Sequence, residues 1–271
     1  MTTSEVLNFT EMLCVDNGIE GNEFHEYEPA NDQNLNSAGD IRINIEQQNL
    51  LTLPSEAFLL FEGRLVKAEG TAYANTDAVA PTNNGQATAM LGMLRYSNDF
   101  QLTQGLNQLW YKDNTTTAVI ADNSGFATRQ AYLVQKPTTK ETFSFFVPLR
   151  HIIGYCDDYD KVIYGLKHKI TLVRNSDDNA IFKLAGVAVG KVNLNKISLF
   201  MPHVQPSDAE RFKLYKQIES KVTLPVSFRR RQCETISVPQ ATTFSWRLSV
   251  NTPMGSELTT SERLASFIAI F

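Results

Sequence analysis

The chain has 271 residues, of which 42% are hydrophobic and 20% charged, and its formal net charge at pH 7 is −4. A chain of this length can bury a sizeable core, as one large domain or two modest ones. It contains no run of about eighteen apolar residues, so no membrane-spanning helix is expected. Three widely separated cysteines, Cys14, Cys156 and Cys233, argue against a disulfide framework or a zinc site.

Acidic and basic residues are unevenly distributed along the chain. Nine of the 29 acidic residues lie within residues 1–40, where Lys and Arg are absent, so the rest carries 25 basic and 20 acidic groups. Residues 1–39 are predicted to be a largely disordered acidic arm that contacts its own body or a neighbour. The body is too weakly basic for a dedicated nucleic-acid-binding protein. No basic start followed by an apolar run marks a secretory signal.

Strand patterns begin at Asp40. Ile41, Ile43 and Ile45 alternate with polar residues, which places the three isoleucines on one face of a strand. A second predicted strand, Ala57–Lys67, is partly apolar on both faces. The run Ala87–Tyr111 is compatible with short helices or with irregular structure, and both readings stay open.

The second half of the chain contains the strongest alternation. In Ile163–Arg174 one face is apolar and includes Tyr164, Leu166, His168, Ile170 and Leu172. Further strands are predicted at Ala131–Gln135, Thr142–Val147, Ala180–Leu184, Lys191–Val204, Val222–Phe228 and Phe244–Val250.

One helix is predicted after the strand that ends at Val204. Ser207 is a good N-cap residue, and Glu210, three residues later, completes a capping box. Phe212, Tyr215 and Ile218 follow with the spacing of an apolar helical stripe.

About nine strands, long loops and one short capped helix predict an all-β fold. Repeating βαβ units are absent, so a parallel sheet is not expected. An antiparallel sandwich of two sheets is the simplest way to bury one face of each strand.

The candidate metal ligands and catalysts are four histidines and a small group of aspartates. His25, His151, His168 and His203 stand singly and lack the spacing of a metal cluster, and His168 is expected to be a core residue. Asp157, Asp158 and Asp160 could bind Ca²⁺ or act in acid–base chemistry. A solvated turn is the plainer interpretation, because the glycine of a calcium-binding loop is missing.

Three further features have a functional and a structural interpretation. The run Arg229–Arg231 could contact phosphate, but pairing with carboxylates or exposure to water is more common. Trp110 and Tyr111 fit either an interface hot spot or internal packing. Trp246 is predicted to lie in the core, and Cys156 to be an inert buried thiol.

Several collinear segments between Asp40 and Val250 resemble the double jelly-roll-like domain family, which is linked to capsid proteins of Polinton-like and adintovirus-like elements. The segments that carry the resemblance are Ile41–Ile45, Leu53–Ala57, Tyr159–Tyr164, Lys169–Arg174, Phe200–Val204 and Arg231–Thr235.

The resemblance implies a major capsid protein in which two jelly rolls stand side by side and three chains form a capsomer. This sequence departs from the family near Asn84-Gly85-Gln86, where other members carry a further segment, and again after Val250. The second jelly roll is therefore expected to be incomplete. The predicted units are an arm (1–39), a first jelly roll (40–205), the start of a second (206–250) and an atypical tail (251–271).

The expected function is that of a structural capsid-type protein of a viral or endogenous viral element, acting by self-association as a homotrimer or larger assembly. No enzymatic activity, cofactor, metal, specific nucleic acid or membrane partner is expected. The expected location is the virion or the host cell interior. The alternative is a β-sandwich binding module, either lectin-like or protein-binding, for which exposed aromatic residues such as Trp110 and Tyr111 would form the site.

Overall fold

The computed structural model describes residues 18–30, 35–37, 39–46, 51–77, 79–81, 95–108, 110–111, 124–134, 142–174, 177, 181–221, 226–229 and 264–270. These residues contain ten strands, whose bounds are β1 Ile19–Tyr27, β2 Asp40–Ile45, β3 Leu51–Thr52, β4 Phe58–Lys67, β5 Val79–Pro81, β6 Thr142–Pro148, β7 Lys167–Val173, β8 Ile181–Lys183, β9 Gly190–Pro206 and β10 Leu264–Ile270. They also contain five helices, α1 Asn98–Leu102, α2 Ser124–Leu133, α3 Leu149–Ile152, α4 Gly154–Asp158 and α5 Asp208–Glu219.

The strands form three sheets. Sheet A has the order β1-β9-β4-β6, with the short β3 also paired to β9, and all its pairings are antiparallel. Sheet B has the order β10-β7-β2, in which β2 is antiparallel and β10 parallel to β7. Sheet C is the antiparallel pair β5-β8. The described fold is therefore all-β and mostly antiparallel, as predicted.

The main core lies between sheets A and B. On β2 the alternation predicted from the sequence is confirmed, because Ile41, Ile43 and Ile45 are buried while the residues between them are exposed. Fully burying an aliphatic or aromatic side chain stabilises the folded state by about 1.5–3 kcal/mol. The buried residues that the rest of the chain adds to this core include Leu59, Phe61, Leu149, Ile153, Tyr155, Cys156, Ile163, Ile170, Leu172, Ile197, Leu199 and Met201.

A second hydrophobic cluster lies where α2 and sheet C meet sheet A. It is formed by the buried residues Leu65, Tyr73, Val79, Leu133, Val134, Phe143 and Ile181. Gly190, at the start of β9, lets the Tyr73 side chain approach the backbone, since a Cβ there would lie 2.4 Å from the tyrosine oxygen.

Gly63 marks an irregularity in the pairing of β4 with β9, where the register shifts between Glu62 and Gly63. A Cβ at Gly63 would lie 2.5 Å from the Asn193 carbonyl oxygen and 2.6 Å from Cζ of Phe143. The glycine is needed because an aromatic ring and a backbone oxygen occupy the space of a side chain.

Gly63→Ala is therefore expected to lower the free energy of unfolding by about 1–3 kcal/mol, the usual effect of overpacking. Urea unfolding of the purified variant measures the change. Gly39→Ala is the matched control, because nothing lies within 4 Å of a Cβ at Gly39. Equal stability of the two variants would contradict the packing described around Gly63.

The predicted strand Ala131–Gln135 is wrong. Its residues up to Leu133 belong to helix α2. Phe126, Arg129 and Leu133 are buried at the three- and four-residue spacing of one helical face. This spacing outweighs the β-branched and aromatic composition of the segment.

The predicted strand Ile163–Arg174 is correct only from Lys167 onward. Gly165 has a φ of +69° and interrupts the extended backbone. Leu166, which follows it, is 41% exposed and does not join the apolar face of β7. His168, Ile170 and Leu172 are buried there as predicted.

Both ends of the chain contain strands that the sequence pattern did not reveal. Residues 19–27 form β1 at the edge of sheet A, so the expectation of disorder is wrong for this part of the arm. Residues 264–270 form β10 within the expected tail. Residues 226–229 are not in a strand, while 222–225 and Phe244–Val250, including Trp246, lie outside the described residues. The other predicted domain boundaries stay predictions.

Helices are more numerous than the single one predicted. Within Ala87–Tyr111, the described part contains α1 and a short 3₁₀ turn at Leu106–Gln108. The predicted helix after Val204 is confirmed as α5, with Ser207 at its N-cap position. The capping box is wrong, because the Ser207 side chain makes no cap hydrogen bond and Glu210 forms an ion pair with Lys213 instead.

Candidate interaction surface

The outer face of sheet A, which points away from sheet B, carries a cluster of aromatic rings. Phe24, Phe200, Phe58 and Phe146 come from β1, β9, β4 and β6, which are adjacent in that order. We call these four residues the phenylalanine face. The ring centroid of Phe58 lies 5.0 Å from that of Phe200, 5.6 Å from Phe146 and 5.7 Å from Phe24. Phe58 is thus the centre of one continuous aromatic surface.

Much of this aromatic surface is open to solvent. Phe24 is 50% and Phe146 37% exposed, while Phe58 and Phe200 are half-buried by their neighbours in the cluster. Leu60 extends the apolar surface along β4. An outer face of this kind differs from the polar outer face usual in a two-sheet sandwich. It confirms that β4 is partly apolar on both faces.

A row of polar side chains borders the phenylalanine face and crosses the same four strands. Glu26 on β1 and Lys196 on β9 form an ion pair of 2.6 Å. Lys196 is the register partner of Glu62 on β4, whose carboxylate accepts a hydrogen bond from Ser144 on β6. The ion pair with Lys196 lowers the pKa of Glu26. We call these four residues the polar row, in which the charges alternate as acid, base and acid.

Helix α5 presents a second exposed apolar surface. The predicted stripe is present, but Phe212, Tyr215 and Ile218 are 76%, 45% and 47% exposed. The Tyr215 ring meets the edge of the Tyr164 ring, with centroids 5.9 Å apart. The prediction of an apolar stripe is therefore confirmed in spacing, although its side chains are not part of either core cluster.

Two histidines that are distant in sequence are in contact at the junction of β1 and β9. The rings of His25 and His203 have centroids 4.2 Å apart, and the Tyr27 hydroxyl lies 2.8 Å from Nε2 of His203. His203 is buried, and within the described part of the chain its Nδ1 has no hydrogen-bond partner. Burial, reinforced by the nearby His25, lowers the pKa of His203 to about 4.

His168 is a core histidine, as predicted. It is buried on β7, and its Nε2 lies 3.2 Å from Oγ1 of Thr52 on β3. Its Nδ1 has no hydrogen-bond partner among the described residues. Burial lowers the pKa of His168 to about 4, so the ring is neutral at physiological pH.

The acidic cluster and the arginine run predicted from the sequence meet each other. Arg229 donates from its backbone N–H (2.6 Å) and from Nε (2.9 Å) to Asp158. Arg95 forms a two-pronged ion pair with Asp157, with both distances 2.6 Å. Arg229 lowers the pKa of Asp158. The interpretation that Arg229 pairs with carboxylates is therefore confirmed. Both Asp157 and Asp158 form ion pairs with arginines.

Trp110 belongs to an aromatic cluster on the surface. It is half-buried, and its ring lies 6.1 Å from each of Tyr96 and Phe100, centroid to centroid. His151 lies against both of these rings, at 5.2 and 5.4 Å. The backbone oxygen of Tyr111 accepts a hydrogen bond from Arg129. The described contacts therefore show Trp110 packing against neighbouring rings of its own chain.

Cys156 is an unreactive thiol, as predicted. It is buried in the main core, and burial raises its pKa to about 12. At neutral pH almost none of it is the nucleophilic thiolate.

The described residues contain no group of three or more His, Cys, Asp and Glu side chains that could hold a metal ion. None of their helices combines the length and apolar character needed to cross a membrane.

Antiparallel sheets packed around a common core, with an exposed aromatic sheet face, define a structural β-sandwich of the jelly-roll kind. A family model, the double jelly roll-like domain, matches residues 110–257. This match covers more than half of the chain, which therefore belongs to the double jelly roll-like domain family. Neither the curated proteins nor the solved structures contain a match.

The match confirms the family resemblance but shifts its limits. It begins at Trp110, so Ile41–Ile45 and Leu53–Ala57 lie outside it, and it continues past Val250 to residue 257. Domains of this family are structural and typical of viral capsid proteins.

Proposed function

We propose that the chain is a structural capsid-type protein of a virus or endogenous viral element of the Polinton or adintovirus kind, and that it acts by binding copies of itself. The observation that carries the proposal is the double jelly roll-like domain match over residues 110–257. The expected assembly is a homotrimer or a larger particle in the virion or inside the host cell.

The surface of the chain supports this proposal independently of the family. Soluble monomers seldom expose large contiguous apolar patches, and those that exist usually mark an interaction site. The described residues expose two groups of neighbouring apolar side chains that could form the centre of such a site, the phenylalanine face and the stripe on α5. Both surfaces lie on strands or on a helix, so their side chains are held in fixed positions. Such surfaces favour a rigid protein contact over one that changes shape on binding.

Purified full-length chain is expected to have a mass in solution of three or more times the 30.4 kDa of a single chain. Size-exclusion chromatography with light scattering measures the mass, and electron microscopy of the same fractions shows whether particles form. A mass of one chain that does not change with protein concentration would contradict the proposal.

The alternative of a lectin-like or protein-binding module stays a prediction. Exposed aromatic side chains such as Trp110 and Tyr111 would support it, and Trp110 is instead half-buried against Tyr96 and Phe100. A glycan array that gives reproducible hits with a monomeric preparation would favour this alternative over self-association.

A further inference from the structure

The sequence and structure of sheet A indicate that its outer face is covered in the functional state. A strand with one face in water normally alternates apolar and polar residues, whereas β4 carries Leu59 and Phe61 inward and Phe58 and Leu60 outward. On β6, likewise, Phe143 is buried while Phe146 points outward and is exposed. The pattern is that of strands covered on both faces, whereas Phe24 and Phe146 on the outer face are exposed.

The size of the surface is consistent with the centre of a protein contact. A phenylalanine buries on the order of 200 Å², so Phe24 and Phe146, at 50% and 37% exposure, together leave roughly 170 Å² of ring surface open. Contacts of standard size bury about 800 Å² per partner around such an apolar centre. In a contact of that size, the polar row and the neighbouring strand residues would supply the remaining area.

We infer that the occupant is a second copy of this chain, bound with its own phenylalanine face opposite the first around a two-fold axis that runs along the strands, midway between β9 and β4. This inference rests on the proposed function, since it names the surface through which copies meet. The two-fold axis exchanges β1 with β6 and β9 with β4. Phe200 of each copy then faces Phe58 of the other, because these two residues are register partners, while Phe24 and Phe146 lie on either side of this central contact along the strands.

Charge complementarity within the polar row favours this occupant. The same axis sets Lys196 of each copy opposite Glu62 of the other, since these two residues are also register partners. Two opposite-charge contacts related by the axis thus form between the copies, as a self-complementary contact requires. A nucleic acid or a strongly acidic partner would meet two carboxylates at one edge of the same surface. The contact joins copies in pairs, so it is separate from the one that closes a homotrimer.

The first test removes exposed rings. The association step under test is the one in which two copies pair and the mass doubles. The double variant Phe24→Ser, Phe146→Ser is expected to raise the dissociation constant of this step by about tenfold or more, because buried aromatic anchors dominate such contacts. Sedimentation velocity over a range of concentrations measures the dissociation constant, and circular dichroism with thermal unfolding verifies the fold. If this variant does not fold, Phe24→Lys takes its place, since Phe24 is half exposed on an edge strand.

The matched control removes apolar side chains of similar exposure elsewhere. The variant Phe212→Ser, Tyr215→Ser, Ile218→Ser changes only helix α5 and is expected to keep the mass-doubling step. If the wild-type chain self-associates but the phenylalanine variant does so equally well, or if only the α5 variant dissociates, the inferred surface is wrong and the proposed function stands. If the wild-type chain is a monomer at every concentration, the proposed function itself fails.

The second test uses charge exchange to examine the two-fold arrangement. Lys196→Glu places glutamates opposite one another across the contact, and Glu62→Lys places lysines opposite one another, so each variant alone is expected to lose pairing. An equimolar mixture restores both opposite-charge contacts and is expected to form mixed pairs, which native mass spectrometry distinguishes once one of the two variants has been uniformly isotope-labelled. Failure of the mixture to pair, or undiminished pairing of either variant alone, would overturn the arrangement.

Discussion

Replacement of Leu59 by alanine is expected to lower the free energy of unfolding by about 2–5 kcal/mol. Leu59 is fully buried on β4, where it lies in the core between sheets A and B. The change removes most of a side chain from a site whose surroundings come from several strands and cannot collapse easily. Because native domains are stable by only about 5–15 kcal/mol, this is among the largest effects expected of a single substitution.

The matched control is Leu60→Ala at the next position. Leu60 faces outward and is only half-buried, so its truncation is expected to change stability by about 1 kcal/mol or less in the unassociated chain. Denaturant unfolding at low protein concentration measures both variants. A larger effect for Leu60 than for Leu59 would mean that the two faces of β4 have been assigned the wrong way round.

Mild acid is expected to destabilise the fold through His168 and His203. The pKa of each is about 4 in the folded chain, below the value of about 6.5 expected when unfolded. The unfolded state therefore binds more protons below about pH 6.5, so stability is complete above that pH and declines as the pH falls towards 4. At about pH 5 the loss is on the order of 2 kcal/mol for each histidine.

The double variant His168→Gln, His203→Gln separates this effect from the titration of carboxylates. The variant is expected to lose some stability at pH 7 but to show a much flatter dependence between about pH 6.5 and 4.5. Glu26 and Asp158, whose pKa values are lowered by Lys196 and Arg229, contribute below this window. A wild-type chain with constant stability between pH 7 and 4.5 would show that the histidines are not buried as described.

The local parts of the fold could be predicted because they follow from alternation along single strands. Ile41, Ile43 and Ile45 must face one side of any extended backbone, and only a buried side is compatible with three isoleucines. The long strand β9 and the helix after Ser207 were predictable for the same reason, since each has a periodic pattern over many residues. Helix α2 cannot be recognised from Ala131–Leu133 alone, because Phe126 and Arg129 complete its helical face.

The candidate surface could not be predicted because its parts come together only through strand pairing. Phe24 lay in a segment expected to be disordered, and nothing local indicates that it would lie beside Phe58. Likewise, Tyr27 contacts His203 across 176 residues of sequence, and Arg229 contacts Asp158 across 71. Such contacts depend on the order of strands in sheet A, which periodicity does not specify.

The two apolar sides of sheet A have different expected consequences for the protein. Its inner side, with Leu59 at the centre, determines whether the chain folds. Its outer side, with Phe58 at the centre, is expected to contribute less to the stability of the folded monomer and, under the proposed function, to contact other copies. Mutations on the two sides of β4 should therefore separate folding from assembly, which is the behaviour expected of a structural protein.

Cryo-electron microscopy of the purified oligomer tests most directly whether copies meet through the outer face of sheet A. The expected map places Phe58 of one copy against Phe200 of another, with Lys196 and Glu62 paired across a two-fold axis. A map in which this face is open to solvent in every copy, or covered by a segment of the same chain, would contradict that mode of assembly.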